Sequence, residues 1–359
     1  MEKYLEKNVY EALQDRLKFI FDNFDNIYVS FSGGKDSGLL LNMVLSYKRR
    51  NKIAKKIGVF HQDFEAQYQT TTDFVSRMFE NNLRDIEPYW VCLPMGSRCA
   101  VSNYQMYWYP WDPDKEELWV RPMPKMPYII NMDNNPFDFY RYKMVQEDLY
   151  AEFGEWYSRQ KKGKTICLLG IRAAESLNRY RAYANDRKTI MQGNQWTTKM
   201  GENWWNAYPI YDWTTKDVWI ANGKFDYDYN RIYDLFWKAG LSISQMRVAS
   251  PYHESAKESL NLYRVLEPAT WVRVVSRVQG ANFGAIYGSS HALGARKIEL
   301  PPGHTWRSYV KFLLATLPEA MRRNYIEKFK TSIRFWWKKG GVVDEEAIKE
   351  LEACNYPIR

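Results

Sequence analysis

Ile27-Tyr28-Val29-Ser30-Phe31-Ser32-Gly33-Gly34-Lys35-Asp36-Ser37-Gly38-Leu39-Leu40-Leu41 passes from a run of strand formers to a run of helix formers, with two glycines and a lysine at the joint. Ile27 to Phe31 predict a short strand. Ser37 to about Arg50 predicts a helix, with Leu40, Leu41, Val44 and Leu45 as its buried stripe. Glycines at 33 and 34 let the backbone turn tightly, so that successive N–H groups point at one anion. The following helix adds its positive N-terminal end. Ser32 and Ser37 supply hydroxyls, and Lys35 supplies a mobile positive charge. A loop of this kind at the carboxyl end of a strand is where open α/β sheets bind ligands.

Outward from that joint, strand and helix signals alternate. Residues 2–24 predict a helix, with Leu5, Val9, Leu13, Leu17 and Ile20 on one face. Strands are expected at 56–60 and 89–93, with a helix over about 70–82 between them. This β-α-β-α-β order predicts an α/β fold with a doubly wound, mostly parallel sheet. Residues 94–136 break the pattern, since seven prolines fall there and exclude long helices. Trp108, Trp111 and Trp119 make this segment a packed insertion over one edge of the sheet, with a lid as one reading. A helix over about 137–160, a buried strand at 164–170 and a short strand at Pro209–Tyr211 follow. Thr214 and Asp217 open a helix as a capping box. From about 229 the chain reads as mostly helical, and Gly240 caps one helix. The expected division is a nucleotide-binding domain over 1–225, carrying the insertion, and a helical, basic domain over 226–359.

Composition narrows the classes. A chain of 359 residues has room for about two domains. Hydrophobic residues at 45% and charged residues at 26% exclude whole-chain disorder. The absence of an 18-residue apolar run argues against a membrane span, and the charged N-terminus against a signal peptide. The expectation is a cytoplasmic protein. Cys92, Cys99, Cys167 and Cys354 form no CxxC pair, so neither a disulfide framework nor a four-cysteine metal site is expected. The net charge is +9. Within 296–339, eleven Lys and Arg face three Glu, a net of +8, which leaves +1 for the remainder. That segment reads as a solvated helix face or as a DNA or RNA contact, because Trp306, Phe335, Trp336 and Trp337 lie among the charges. Trp336 and Trp337 read equally well as core.

Ser32-Gly33-Gly34-Lys35-Asp36-Ser37 is neither a Walker A loop, which needs a glycine where Val29 stands, nor a GxGxxG fingerprint. It resembles the signature of the PP-loop ATP pyrophosphatase superfamily. Further segments are similar to the phosphoadenosine phosphosulfate reductase-like family within it: His61-Gln62-Asp63-Phe64-Glu65 after the second strand, Gly170-Ile171-Arg172-Ala173-Ala174-Glu175-Ser176 with Arg179, and Pro209-Ile210-Tyr211-Asp212-Trp213-Thr214-Thr215-Lys216-Asp217-Val218-Trp219. Gly240–Pro251 is similar to an uncharacterised bacterial and phage subgroup whose members often lie beside a ParB/sulfiredoxin-like protein, which implies a partner of that kind. The resemblance implies an adenine nucleotide alpha-hydrolase-like fold using ATP and Mg²⁺. It implies nucleotide contacts from Ser30, Ser32, Gly33, Gly34, Lys35, Asp36, Ser37, His61, Asp63, Gly170, Arg172, Glu175 and Arg179. Lys35, Asp36 and Arg172 are the implied catalytic residues, and Asp36 and Asp63 the implied Mg²⁺ ligands.

The residues have their own logic beside the resemblance. Arg172 and Arg179, seven apart, put two guanidinium forks on one face to grip phosphate or sulfate, with Glu175 orienting one; a surface ion-pair cluster is the alternative. Arg181, Arg187 and Lys188 extend the positive stretch toward a charged second substrate. Asp63 reads as a Mg²⁺ or ribose ligand or as a plain loop carboxylate. His61 reads more readily as a structural histidine than as a catalytic one, and Asp212 and Trp213 as helix entry and core.

The resemblance stops at the thiol. The terminus Leu351-Glu352-Ala353-Cys354-Asn355 lacks the E-C-G-[LI]-H element of the reductases, and the paired cysteines of cluster-bearing relatives are missing around 245–251. No iron–sulfur cluster is therefore expected. The intact loop fits cleavage of ATP between the α- and β-phosphates, to activate an unidentified substrate with release of pyrophosphate. The alternatives are a sulfonucleotide reductase, and a nucleotide-dependent regulator or nucleic-acid-binding or modifying protein.

Overall fold

The computed structural model describes residues 6–254, 260–287 and 300–338, with the isolated positions 340, 346 and 349. Helix α1 runs over Val9–Asn23 and starts seven residues later than the apolar stripe suggested. Asn8 sets this start: its side chain accepts the N–H groups of Tyr10 and Glu11, and Glu11 reaches back to the Asn8 N–H. Met1–Leu5 lie outside the described residues. Strand β1 (Asn26–Ser30), helix α2 (Lys35–Arg50), β2 (Ile57–Gln62), α3 (Gln69–Glu80) and β3 (Ile86–Val91) follow in the expected alternation.

The segment after β3 carries the short strands β4 (Ser97–Arg98), β5 (Tyr107–Trp108) and β6 (Ile129–Ile130). Helix α4 (Gln146–Lys161) begins nine residues later than expected, because 137–145 is spent in turns, one of them holding Lys143 at φ 60°. Then come β7 (Thr165–Leu169), α5 (Leu177–Ala184), β8 (Thr197–Lys199) and β9 (Trp204–Ala207). The strand expected at Pro209–Tyr211 is a turn, and the sheet takes Trp204-Trp205-Asn206-Ala207 in its place. Pro209 has no N–H to give to a ladder. Helix α6 (Thr215–Lys224) starts on the Thr214–Asp217 capping box. The remaining helices are α7 (Ile232–Lys238), α8 (Asn261–Leu266), α9 (Pro268–Arg277), α10 (Ala281–Tyr287), α11 (Trp306–Thr316) and α12 (Glu319–Lys338). Gly240, at φ 88°, stands just past the end of α7, the position where a residue without Cβ is favoured.

Among the described residues the main sheet has seven strands in the order β6-β3-β2-β1-β7-β9-β8. All neighbours pair in parallel except β8 with β9. The chain moves outward from β1 through β2, β3 and β6, then returns to the other side of β1 for β7. The β1–β7 seam is thus the point where strand order reverses, and a crevice opens there at the carboxyl ends.

The alternation of β1 explains the layers. Ile27 and Val29 face a core with Leu13, Leu17 and Ile20 of α1 and Leu40, Leu41 and Val44 of α2. Tyr28 faces the opposite core with Phe153 and Tyr157 of α4. Each fully buried Leu or Phe contributes about 1.5–3 kcal/mol relative to exposure. A further core joins Cys99, Val101, Trp108 and Val120 of the segment after β3 to Ile232, Phe236, Tyr252 and Val274. The Pro- and Trp-rich insertion is therefore a folded layer: β6 extends the sheet edge, and Trp108 and Trp111 are almost fully buried. Among the described residues no helix is long and apolar enough to cross a membrane.

Candidate functional site

The loop after β1 turns at Gly33, whose φ is 75°. A Cβ there would press on Thr71 and Val75 at 3.0 Å, so Gly serves both the dihedral and the space. Asn230 holds the Gly33 carbonyl from its side-chain nitrogen at 2.9 Å. Gly34 is the N-cap of α2 and brings no side-chain cap, unlike Asn8 at α1 or Thr214 at α6. Among the described residues, the N–H groups of Asp36 and Ser37 find no protein acceptor. The first-turn amide of Lys35 donates to the Tyr233 hydroxyl at 3.0 Å. Ser32 and Ser37 stand with their hydroxyl oxygens 2.9 Å apart at the mouth of the loop. This helix end therefore keeps donors open where an anion is stabilised.

The charges around the loop are coupled. Arg172 is buried and donates to the Asp36 carboxylate at 2.6 Å; Lys35, also buried, stands 3.2 Å from the other Asp36 oxygen. Gly170, just past β7, lets the two loops meet: a Cβ there would lie 2.8 Å from the Ser37 nitrogen and 2.9 Å from the Asp36 carbonyl carbon. Arg179 pairs with Glu175 at 2.8 Å, and Arg247 approaches the Glu175 carbonyl at 3.4 Å. Together these residues enclose a cleft of about 240 Å³ at the β1–β7 seam. Three cations (Lys35, Arg179, Arg247) line it against two carboxylates (Asp36, Glu175), and Arg172 backs Asp36 from outside the cavity. The excess favours a multiply charged anion.

Of the residues expected at the site, Ser30, Ser32, Gly34, Lys35, Asp36, Ser37, Gly170, Glu175 and Arg179 line this cleft. Gly33 shapes the loop from behind, and Arg172 acts on Asp36 rather than lining the cavity. Arg172 precedes α5 instead of sharing a helical face with Arg179, because the first turn after β7 is a short 3₁₀ piece at Ala173–Glu175.

The structure brings Asp63 and His61 elsewhere. Asp63 is fully buried: Arg121 grips both carboxylate oxygens at 2.5 and 2.6 Å, and the Trp90 indole donates at 2.8 Å. Burial alone would raise its pKa, but Arg121 and His61 outweigh this and hold the carboxyl below its usual value. His61 bonds the Phe31 carbonyl through Nδ1 at 2.8 Å, and burial lowers its pKa despite the nearby Asp63. Glu65, two residues on, is buried as well. It accepts the Arg277 fork at 2.8 and 3.1 Å and the N–H groups of Trp111 and Val120. The 61–65 segment thus fastens the insertion and α9 to the sheet. The expectation that Asp63 faces the nucleotide loop or a metal is corrected on this ground, since a carboxylate enclosed by Arg121 and Trp90 presents no oxygen to the cleft.

Asp36 is the expected metal-binding carboxylate that does face the cleft, flanked by two cations. Among the described residues, no group of three or more His, Cys, Asp or Glu side chains is placed to hold a metal by itself. A cation that keeps its waters and arrives on phosphate oxygens needs only one such carboxylate. Cys92 and Cys99 fall in separate cores, and burial pushes both thiols up; Cys167 is pushed up to about 12 by burial. Cys354 lies outside the described residues.

Three residues that build the site escaped the sequence reading. Tyr233 and Asn230 reach the loop from 198 and 197 residues away. Nothing local in Tyr229-Asn230-Arg231-Ile232-Tyr233 points at Gly33 or Lys35. Arg247 lay inside the quoted 240–251 run, but no spacing rule tied it to Glu175. A larger hollow of about 880 Å³ opens inside the insertion beside Trp111, Trp119, Arg121 and Met126, and holds none of the loop donors. In the basic segment, α12 leaves Phe335, Trp336 and Trp337 exposed, so Trp336 and Trp337 are not core. Arg296, Lys297 and Lys339 lie outside the described residues.

Residues 240–359 match the family model described as "Domain of unknown function (DUF3440)". Among solved structures, the chain is similar to the phosphate complex of phosphoadenylyl-sulfate (PAPS) reductase from Candida auris, at 13% identity and TM-score 0.33, covering 65% of this chain and 93% of that one. It is also similar to the U34-tRNA thiolase NcsA from Methanococcus maripaludis, at 12% identity and TM-score 0.37, covering 82% and 81%. A third is the NMN synthetase from Francisella tularensis, at 12% and 0.35, covering 83% and 100%. Likenesses this slight carry no argument about activity. The Escherichia coli (strain K12) protein described as "Uncharacterized protein YbdN" is 34% identical over 358 residues, covering 98% of this chain and 86% of that one. The chain belongs to the family of that Escherichia coli protein.

Proposed function

We propose that this chain is an ATP-using enzyme of the PP-loop kind, which cleaves the bond between the α- and β-phosphates to activate a second substrate. The observation that carries the reading is the uncapped start of α2 at the β1–β7 seam, opening into a net-cationic cleft. The Asp36 and Ser37 amides, the Ser32 and Ser37 hydroxyls and Lys35 would hold the β- and γ-phosphates. A nucleophile on the second substrate attacks the α-phosphorus; its new bond forms as the bridging oxygen leaves with pyrophosphate. Lys35 and the loop amides stabilise the charge that grows on that leaving group. Arg172 keeps Asp36 aimed, and Gly170 lets the two loops close on one another. Mg²⁺ would be held by Asp36 with phosphate oxygens and water, and when bound it neutralises phosphate charge. Arg179 and Arg247, at the Glu175 side of the cleft, would receive an anionic part of either substrate.

The buried, high-pKa thiols at 92, 99 and 167 give the sulfonucleotide reductase alternative no support among the described residues. The proposal is tested by incubating the protein with ATP and Mg²⁺ alongside extracts or candidate acceptors and assaying the phosphate products. Pyrophosphate is expected from the wild type, with a loss of at least a hundredfold in Lys35→Ala and Asp36→Ala. Release of orthophosphate, or equal rates in the variants, would contradict it.

A further inference from the structure

Tyr233 stands against the phosphate loop from α7, in a part of the chain that carries no loop motif. Its side chain is buried, and its hydroxyl accepts the Lys35 backbone N–H at 3.0 Å. The same ring lies 5.7 Å from the Lys35 ammonium, so it supports both the amide and the charge of that residue. A phenol oxygen that accepts one hydrogen bond still has its own hydrogen to give. Among the described residues no acceptor for that hydrogen is present, and Tyr233 lines the cleft. A Cβ on Gly34 would come within 3.6 Å of the hydroxyl, so the glycine keeps the space beside it clear. Burial, with Asp36 adding to it, holds the phenol far above its ordinary range, so the group is a neutral donor throughout the working pH range.

We propose that the Tyr233 hydroxyl is a phosphate-binding group of this cleft: it takes the Lys35 N–H and passes its own hydrogen to an oxygen of the bound polyphosphate. The inference rests on the nucleotide reading above and adds a ligand that reaches the loop from the C-terminal helices. Polarisation along the chain from amide to phenol to phosphate strengthens the terminal bond. Asn230, fully buried, fixes the geometry. Its side-chain nitrogen holds the Gly33 carbonyl and the Thr71 hydroxyl, and its oxygen accepts the Ile232 N–H at the start of α7. Loop and helix are tied together through one side chain. Tyr233 is thereby a binding and positioning residue, and it takes no part in proton transfer.

Tyr233→Phe keeps the ring, its packing against Trp219 and its place over Lys35, and removes only the oxygen. The experiment measures the affinities of wild type and variant for inorganic pyrophosphate, ATP and adenosine by calorimetry, together with the melting temperature of each protein without ligand. The expected result is about a tenfold loss for pyrophosphate and ATP, the size of one hydrogen bond to a charged group, with adenosine affinity unchanged and only a modest drop in melting temperature from the Lys35 N–H that loses its acceptor. Equal affinities in the two proteins would overturn the inference, as would a parallel loss for adenosine, which would mark a purely structural role. Failure of the wild type to bind either pyrophosphate or ATP would overturn the nucleotide reading itself, a result distinct from both.

Discussion

Gly170 shows how one missing side chain decides whether two loops share a site. The backbone of Ser37 and Asp36 lies where its Cβ would be, and backbone cannot step aside as a flexible side chain can. Gly170→Ala should therefore push the 170–175 loop from α2, costing about 1–3 kcal/mol of stability and at least tenfold in pyrophosphate affinity. Denaturant titration and calorimetry on the same preparation check this, and a variant with unchanged affinity would mean that the close approach has no bearing on the cleft. Residues whose chemistry is local were legible in the sequence: Gly33, Gly34 and Ser37 carry their own reasons, since turn dihedral and helix start depend on near neighbours. Asp63 was not. Its fate is set by Arg121, 58 residues on, and by Trp90, 27 residues on, and no spacing within 61–65 foretells either.

Among elements, the segment between β3 and α4 departs most from a simple alternating fold. Its prolines exclude long helices, as expected, yet it is held by charge as well as by its tryptophans. Glu65 and Arg277 form a pair that is almost wholly buried, with two insertion N–H groups on the same carboxylate. Removing one partner of such a pair leaves the other charge desolvated and unmatched, at about 3–5 kcal/mol. Glu65→Gln, which keeps shape but not charge, should lower the free energy of unfolding by that amount, read as a lower denaturant midpoint at unchanged slope, while pyrophosphate affinity of the folded protein stays within about twofold. An unchanged midpoint would mean that Arg277 finds solvent or another partner. Element boundaries followed the same division between local and distant causes. The Thr214–Asp217 box set the start of α6 as read, and Asn8, a cap the apolar stripe does not reveal, set the start of α1. The strand at Trp204–Ala207 went unread because four residues with two tryptophans show too little period, while its place in the sheet comes from pairing with β7.

At the scale of the molecule, the alternating strand and helix signals around Ile27–Leu41 were enough to expect a mostly parallel doubly wound sheet, and β6-β3-β2-β1-β7-β9-β8 is one. What the alternation alone left open is where the strand order turns back. That reversal puts the 32–37 bend and the 170–175 loop on either side of one crevice. The stretch after α6 completes it with Asn230, Tyr233 of α7 and Arg247, so the site draws on segments far apart in the chain. The most direct measurement is a crystal structure of the protein with Mg²⁺ and an ATP analogue that cannot be cleaved between its α- and β-phosphates. The account predicts the β- and γ-phosphates within hydrogen-bonding distance of the Asp36 and Ser37 amides and of Lys35 Nζ. An analogue bound instead in the hollow beside Trp111 and Arg121, with those amides facing water, would contradict it.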